Sequence, residues 1–430
     1  MAMVKFPKRI VVTPPHNWLY TTLAITVSLF AFAYSTRFGK LPILALYGVW
    51  ALPVAVEPRL LLRNVGAVAI VCAFAGLAIA STLWSDNPST TLRNAIQYGT
   101  TIACAVIAAR VTTVRSFAFG GLVGSAVVIA YSLHIGRYEY DAIDSTYALV
   151  GAFGSKNQLG FYASLGVLLG VVLVLMRAPF LAEKVLAAAV VTLAAFVLLK
   201  TQSATSVATI IVALAFAVTL FTAGRTPPTQ RFLVLCAGGV LFVGVAAAAL
   251  DAGAFAGVLN VFGKDATLTG RTYLWREGII AAGENPILGM GYNAFWTHGF
   301  AHAERLWDEF YITKRTGFHF HNTYIEAVVG LGLVGLAALV GLLVLYWTLA
   351  VRAVFRGRLT AGLILTLAMG ALLLMRSFVE IDFLTPYTVG TFLLYYSTMK
   401  LMEGEPVPLA EDAPSRPVSR PGGAVLRPTG

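Results

Sequence analysis

The chain has 430 residues, 58% hydrophobic and only 12% charged, with a mean hydropathy of +0.78 and a formal net charge of +11. A soluble domain carries about 25% charged residues, so this composition excludes an ordinary soluble fold and indicates a polytopic membrane protein. The cations are scattered over short loops without a basic stripe, which argues against a nucleic-acid partner.

Taken in order, the chain opens with Lys5, Lys8 and Arg9 and then alternates apolar runs with short polar ones. Apolar runs lie near residues 18–36, 41–56, 65–84, 95–111, 116–135, 157–176, 182–199, 203–223, 230–250, 323–350, 359–375 and 383–401, about twelve in all. Backbone groups in lipid have no water to bond, so each run is expected to be a helix and the fold all-α. The first run is long for a signal peptide and a second follows at once, which reads as an uncleaved first span. Cys72, Cys104 and Cys236 fall inside apolar runs without metal-ligand or disulfide spacing and read as small buried hydrophobes. The C-terminal stretch 403–430 has six prolines and few apolar residues, a composition expected to be disordered.

Orientation follows from the loops. With the N-terminus inside, inner segments hold Lys5, Lys8, Arg9, Arg59, Arg63, Arg110, Arg115, Arg177, Lys184, Arg225, Arg231, Arg352, Arg356 and Arg358. Outer loops hold Arg37, Lys40, Arg93, Arg137, Lys156, Lys200 and Arg376. Fourteen against seven favours both termini inside. The organisation is then an inner N-terminus (1–17), a membrane domain (18–402) with a long outer loop (251–322) between the ninth and tenth spans, and an inner tail (403–430). No inverted repeat is visible and the ionisable residues sit mostly at span ends, which disfavours a transporter, the main rival class.

The outer loop is the one long polar segment between very apolar ones, and it carries four of the six histidines, His298, His302, His319 and His321. Arg271 to Ala282 reads as a helix, capped by Thr269 and ended by Gly283 and Pro286. Asn285 to Asn293 reads as a tight turn region, and Ala301 to Tyr311 as an amphipathic helix lying on the membrane surface. Asn322 is placed to cap the tenth span.

Helix N-termini favour anions, and Arg271 and His321 each sit at one. Lys156, Lys200, Arg93 and Arg376 are further outer cations against the positive-inside bias. A phosphate-bearing substrate on the outer face would explain them; so would headgroup contacts, or pairing with Asp86, Asp141, Asp144, Glu380 and Asp382. His321, opening a span beside cations, is the candidate general base, its neutral form favoured by those cations. His319, the neighbouring histidine along an extended segment, is expected to point elsewhere. His298 and His302 are four apart, but no glutamate completes a zincin pattern, and Asp141 with Asp144 forms only a weak acidic pair, so no metal is expected.

Several motifs resemble the O-antigen ligase and polymerase superfamily of bacterial membrane glycosyltransferases. They are Gly270-Arg271-Thr272 with Trp275, Asn285-Pro286 with Gly289-Met290-Gly291, and His321-Asn322 with Tyr324 and Gly330-Leu331-Gly332, within the twelve-span plan. Leu83-Trp84-Ser85 and Gly151-Ala152-Phe153-Gly154-Ser155-Lys156-Asn157 look more like the exopolysaccharide polymerase branch. The resemblance implies an inner-membrane enzyme, without metal or other cofactor, that takes a glycan from undecaprenyl pyrophosphate at the periplasmic face. The glycan goes to an acceptor sugar hydroxyl with inversion: another lipid-linked repeat unit in a polymerase, lipid A-core in a ligase. The resemblance also implies polysaccharide export proteins as partners of such a polymerase. Arg271 matches the family's pyrophosphate-binding arginine and His321 its general base; Lys156, Lys200, Asn322, Arg93 and Arg376 are the other candidate substrate contacts. Many members carry an arginine shortly after the position of Ser203, where this chain has Ala204. Lys200 is the candidate substitute, although a lysine offers a point charge and not a bidentate fork.

Overall fold

The computed structural model describes residues 8–141, 146–176, 180–251, 270–315 and 317–404. The proline-rich tail beyond 404, the candidate cap Thr269 and Asp144 lie outside the described residues.

Helices fill the described chain. They are α1 (Lys8–Val11), α2 (Trp18–Phe38), α3 (Lys40–Val56), α4 (Val65–Ala80), α5 (Pro88–Val111), α6 (Val114–Ile135), α7 (Lys156–Leu175), α8 (Leu181–Lys200), α9 (Ala204–Ala223) and α10 (Pro228–Asp251). After the outer loop begins come α11 (Arg271–Glu284), α12 (Ala301–Glu309), α13 (Thr323–Arg356), α14 (Ala361–Ser377) and α15 (Val389–Glu403). One antiparallel hairpin between α6 and α7 pairs β1 (Tyr138–Asp141) with β2 (Thr146–Leu149), Tyr138 opposite Leu149. Each expected apolar run falls on a helix, and among the described residues eight helices are long and apolar enough to cross a membrane. The protein is therefore an all-α, multi-pass membrane protein.

The remaining expected spans fail those length or composition criteria for reasons visible in the packing. α3, α14 and α15 are shorter than the roughly 20 residues a lone span needs. α15 is buried from Val389 to Lys400, so protein and not lipid surrounds it. The first turns of α5 are polar (Ser89, Thr90, Thr91, Arg93, Asn94); several of these residues line a cavity. Conversely, α10 lies at the edge of the bundle, and Cys236 on it is exposed instead of buried.

The segments expected on the inner side are joined to one another. Lys8 pairs with Glu57, Arg110 with Glu403 at 2.8 Å, Arg115 with Glu183 at 2.7 Å, and Arg231 donates to Gly357 O at 2.7 Å. Residues of the expected outer loops gather at a different end, around the start of α7, α9, α11 and α13.

The loop that follows α11 explains the glycine motifs. α13 is broken at Gly332 (φ +62), and residues 286–291 lie along the break. Met290 N donates to Val329 O (3.0 Å), Gly291 N to Gly330 O (2.8 Å) and Leu333 N to Pro286 O (2.8 Å). Broken helix at membrane depth is tolerated only where protein satisfies the freed groups, and this loop does so. A Cβ on Gly332 would lie 2.2 Å from Ile287 O, and one on Gly289 2.5 Å from Gly332 N. Both glycines are thus required by close backbone approach as well as by positive φ.

The rest of the loop builds a small cap with its own core of Leu274, Phe295, Leu306, Trp307, Phe320 and Val329. α12 is amphipathic as expected, but its apolar residues Ala303, Leu306 and Trp307 are buried in this cap and do not lie on a membrane surface.

Candidate active site

Residues far apart in the chain converge on the carboxylate of Glu380, in the turn after α14. Gly270, at φ +75, turns the chain into α11, so that Arg271 is its first residue and points inward. Arg271 Nη2 donates to Glu380 Oε1 at 2.9 Å and Nη1 to Thr205 Oγ1, at the start of α9, at 3.3 Å. Asn157, on the first turn of α7, donates its amide to the same Glu380 oxygen at 2.7 Å and accepts from Ser203 Oγ at 2.8 Å. From the other side, His321 Nδ1 meets Glu380 Oε2 at 3.3 Å, and His319 Nε2 lies 4.0 Å from it. Thr323 Oγ1 donates to Glu380 O at 2.6 Å and fixes the turn against α13.

His319 does not point away from His321: the two are separated by Phe320 alone, a spacing that puts side chains on one face of an extended segment, and their ring centroids lie 4.1 Å apart. His321 itself has a left-handed φ of +52. The His321 backbone N–H donates to His319 Nδ1 at 3.1 Å. That bond puts the proton of neutral His319 on Nε2, facing Glu380. Burial, with His321 and Arg271 nearby, pushes the His319 imidazole down to about 3, against the opposing effect of Glu380. Burial alone would raise the Glu380 carboxyl, but His321, Arg271 and His319 together hold it well below the usual carboxylate range. A neutral His321 that donates from Nδ1 to that carboxylate keeps its Nε2 lone pair to accept a proton. Its nearest charge is a carboxylate, not the cation expected from the sequence.

The ligand atoms of His319, His321 and Glu380 lie within 4.8 Å of one another, near enough for a divalent ion. The donor set fits a hydrogen-bonded cluster better. A metal at His319 Nε2 would require that ring to give up its bond from the His321 amide. The ion would also sit beside the Arg271 guanidinium, already on Glu380. His298 and His302 do not share a helix: His298 precedes α12 and lies tilted against Trp307 (ring centroids 5.5 Å), and His302 pairs with Glu284 at 3.4 Å.

A second ion pair adjoins the first. Arg376, 1% exposed, binds Asp382 through Nε at 2.5 Å, donates to Ser206 Oγ at 3.3 Å and lies 4.2 Å from the Phe161 ring centroid. Burial raises the Asp382 carboxyl, and Arg376 only partly offsets it. Above both pairs opens a cavity of about 680 Å³, lined by His319, Glu326, Arg376, Glu380 and Asp382, by Arg93, Asn94 and Gln158, and by Trp296, Trp307 and Phe318. That volume lies within the roughly 300–1,000 Å³ of small-molecule sites.

The other sequence candidates take varied positions. Arg93 faces the cavity from α5. Lys156 stands next to Asn157 and makes none of the contacts to Glu380 described above. Lys200 is exposed, with its ammonium over Phe196 at 5.6 Å, outside this network. The cations that reach the start of α9 are Arg271 at Thr205 and Arg376 at Ser206. Asn322 is the expected helix cap: its side chain accepts from Tyr324 N and Ile325 N and donates to Phe378 O at 3.1 Å. The expected pairing of cations with acids is realised for Arg271–Glu380 and Arg376–Asp382. Sequence reasoning treated Glu380 and Asp382 only as neutralising partners and passed over Asn157 and His319 as parts of the site. Asn157 carried a signal, since it lies in the Gly151–Asn157 motif; Glu380 carried none beyond being an acid between two spans.

Comparison with known proteins agrees with the architecture. Residues 187–340 match the profile of the O-antigen ligase family. The chain is 47% identical over 406 residues to an exopolysaccharide production protein, ExoQ, from Rhizobium meliloti, covering 93% of this chain and 92% of that one.

Proposed function

Because the chain belongs to the O-antigen ligase family, we propose that it is a membrane glycosyltransferase that lengthens an exopolysaccharide at the periplasmic face of the inner membrane. The donor is a glycan on undecaprenyl pyrophosphate; the acceptor is a sugar hydroxyl of another lipid-linked repeat unit. The observation that carries this reading is the meeting of Arg271 and His321, from opposite ends of the outer loop, on the one carboxylate of Glu380.

The chemistry follows from that arrangement. The acceptor oxygen attacks the anomeric carbon while the bond from that carbon to the phosphate oxygen breaks, and the pyrophosphate leaves with the electron pair. His321 Nε2 takes the hydroxyl proton, and Glu380 holds the ring by Nδ1 and stabilises the imidazolium. Arg271 stabilises the charge that grows on the leaving group, a good one that needs no strong general acid. Arg376, Arg93 and Lys156 are further candidate anion contacts, and Arg376 is held ready by Asp382.

General-base loss costs about 10²–10⁴-fold. Loss of one charge-stabilising donor costs about 10²–10³-fold. His321→Ala and Arg271→Ala are therefore expected to abolish detectable polymer in cells while the protein still reaches the membrane. Wild-type polymer from both variants refutes the reading. In the deletion strain, loss of secreted polymer with unchanged lipopolysaccharide selects the polymerase; loss of O-antigen from lipid A-core selects the ligase.

A further inference from the structure

The cavity above Glu380 is walled on one side by Trp296, which packs against Phe320 (ring centroids 4.9 Å) and edge-on to Phe318 (5.2 Å). The Trp296 indole N–H donates to Glu326 Oε1 at 3.0 Å. The other oxygen of the same carboxylate, Oε2, accepts from the backbone N–H of Phe320 at 3.1 Å. Phe320 is the residue between His319 and His321. One side chain on the first turn of α13 thus ties the aromatic wall of the cavity to the strained segment that carries the base. Both partners of Glu326 are donors, so a carboxylate satisfies both and an amide satisfies only one.

The geometry points to Glu326 as a positioning residue that couples a sugar ring held against Trp296 to the placement of His321. The chemistry of the wall identifies the ligand class. A pyranose presents an apolar C–H face, which suits an indole, and a rim of hydroxyls, which suits the amides of Asn94, Gln158 and Asn293 around the same cavity. A sugar pressed on Trp296 bears through Glu326 on Phe320, and through Phe320 on a backbone held at positive φ. This inference rests on the proposed transfer reaction for its kinetic half; its binding half stands without it.

The probe is the one-repeat oligosaccharide released by mild acid from polymer secreted by the same cells, free of lipid and pyrophosphate. Binding is read by saturation-transfer NMR on purified protein in nanodiscs. Wild type and His321→Ala bind alike. Glu326→Gln leaves one donor unsatisfied and binds about tenfold more weakly or worse, with turnover at saturating acceptor reduced as well. Adding Trp296→Phe to Glu326→Gln removes the competing donor, so the amide oxygen can accept from Phe320 N, and turnover recovers severalfold over the single variant. If Glu326→Gln fails to fold, Trp296→Phe alone serves: it weakens acceptor binding more than it lowers turnover. Unchanged oligosaccharide binding in Glu326→Gln overturns the proposal. Weaker binding with unchanged turnover, or no recovery in the double variant, overturns the coupling. If instead His321→Ala still polymerises while Glu326→Gln loses binding, the transfer reading falls and the sugar site remains.

Discussion

At the scale of single residues, Glu380 decides what the site is. It takes Arg271 and Asn157 on one oxygen and the two histidines on the other. Removing it strands a buried guanidinium, and breaking such a pair costs about 3–5 kcal/mol. Glu380→Ala is therefore expected to lower the thermal midpoint clearly, and His321→Ala to leave it nearly unchanged; equal midpoints for both contradict this. His319 gives a pH test. Its folded-state pKa is depressed to about 3, from near 6.5 in an unfolded chain, chiefly by burial. As pH falls below about 6.5 the unfolded chain takes up a proton that the native ring refuses, so stability falls with pH in that window. The apparent Tm should drop between pH 7 and pH 5, and His319→Asn, which keeps an acceptor for the His321 amide, should flatten the drop. Parallel curves for the two proteins contradict the assignment.

At the scale of elements, the sequence motifs divide into chemistry and carpentry. The spans were legible because lipid admits only apolar helices, and α11 and the Asn322 cap were legible from helix-end chemistry. The Gly289-Met290-Gly291 and Gly330-Leu331-Gly332 motifs were visible as patterns, but their use was not. They let the loop close against the break in α13, a contact between segments about forty residues apart that no local pattern encodes. The burial of α12 in a cap was hidden for a similar reason: a helical apolar stripe fits a membrane surface and a protein core equally well. The meeting of His319 with His321 was legible and was missed, since residues two apart share one face of an extended segment. Gly332→Ala and Gly289→Ala each place a Cβ within 2.5 Å of backbone that cannot move aside. Both are expected to reduce folded protein severalfold, read by size-exclusion profile after extraction, whereas Gly283→Ala, with open space around it, should not. A normal profile for Gly332→Ala contradicts the close-approach argument.

At the scale of the whole molecule, we propose from the charge bias of the loops that Arg271, His321 and the cavity face outward. Tyr311, beside the cap, is 89% exposed, and Arg358, on the opposite set of loops, is exposed too. In a background lacking Cys72, Cys104 and Cys236, Tyr311→Cys should react with an impermeant thiol reagent on spheroplasts and Arg358→Cys only after lysis. The reverse pattern inverts the topology. The central claim concerns transfer itself, and it is tested most directly with purified protein in nanodiscs supplied with a radiolabelled, lipid-pyrophosphate-linked repeat unit. Wild type is expected to convert it to longer chains without added metal, and His321→Ala to leave it as single repeats. Chain growth by His321→Ala at the wild-type rate would contradict the claim.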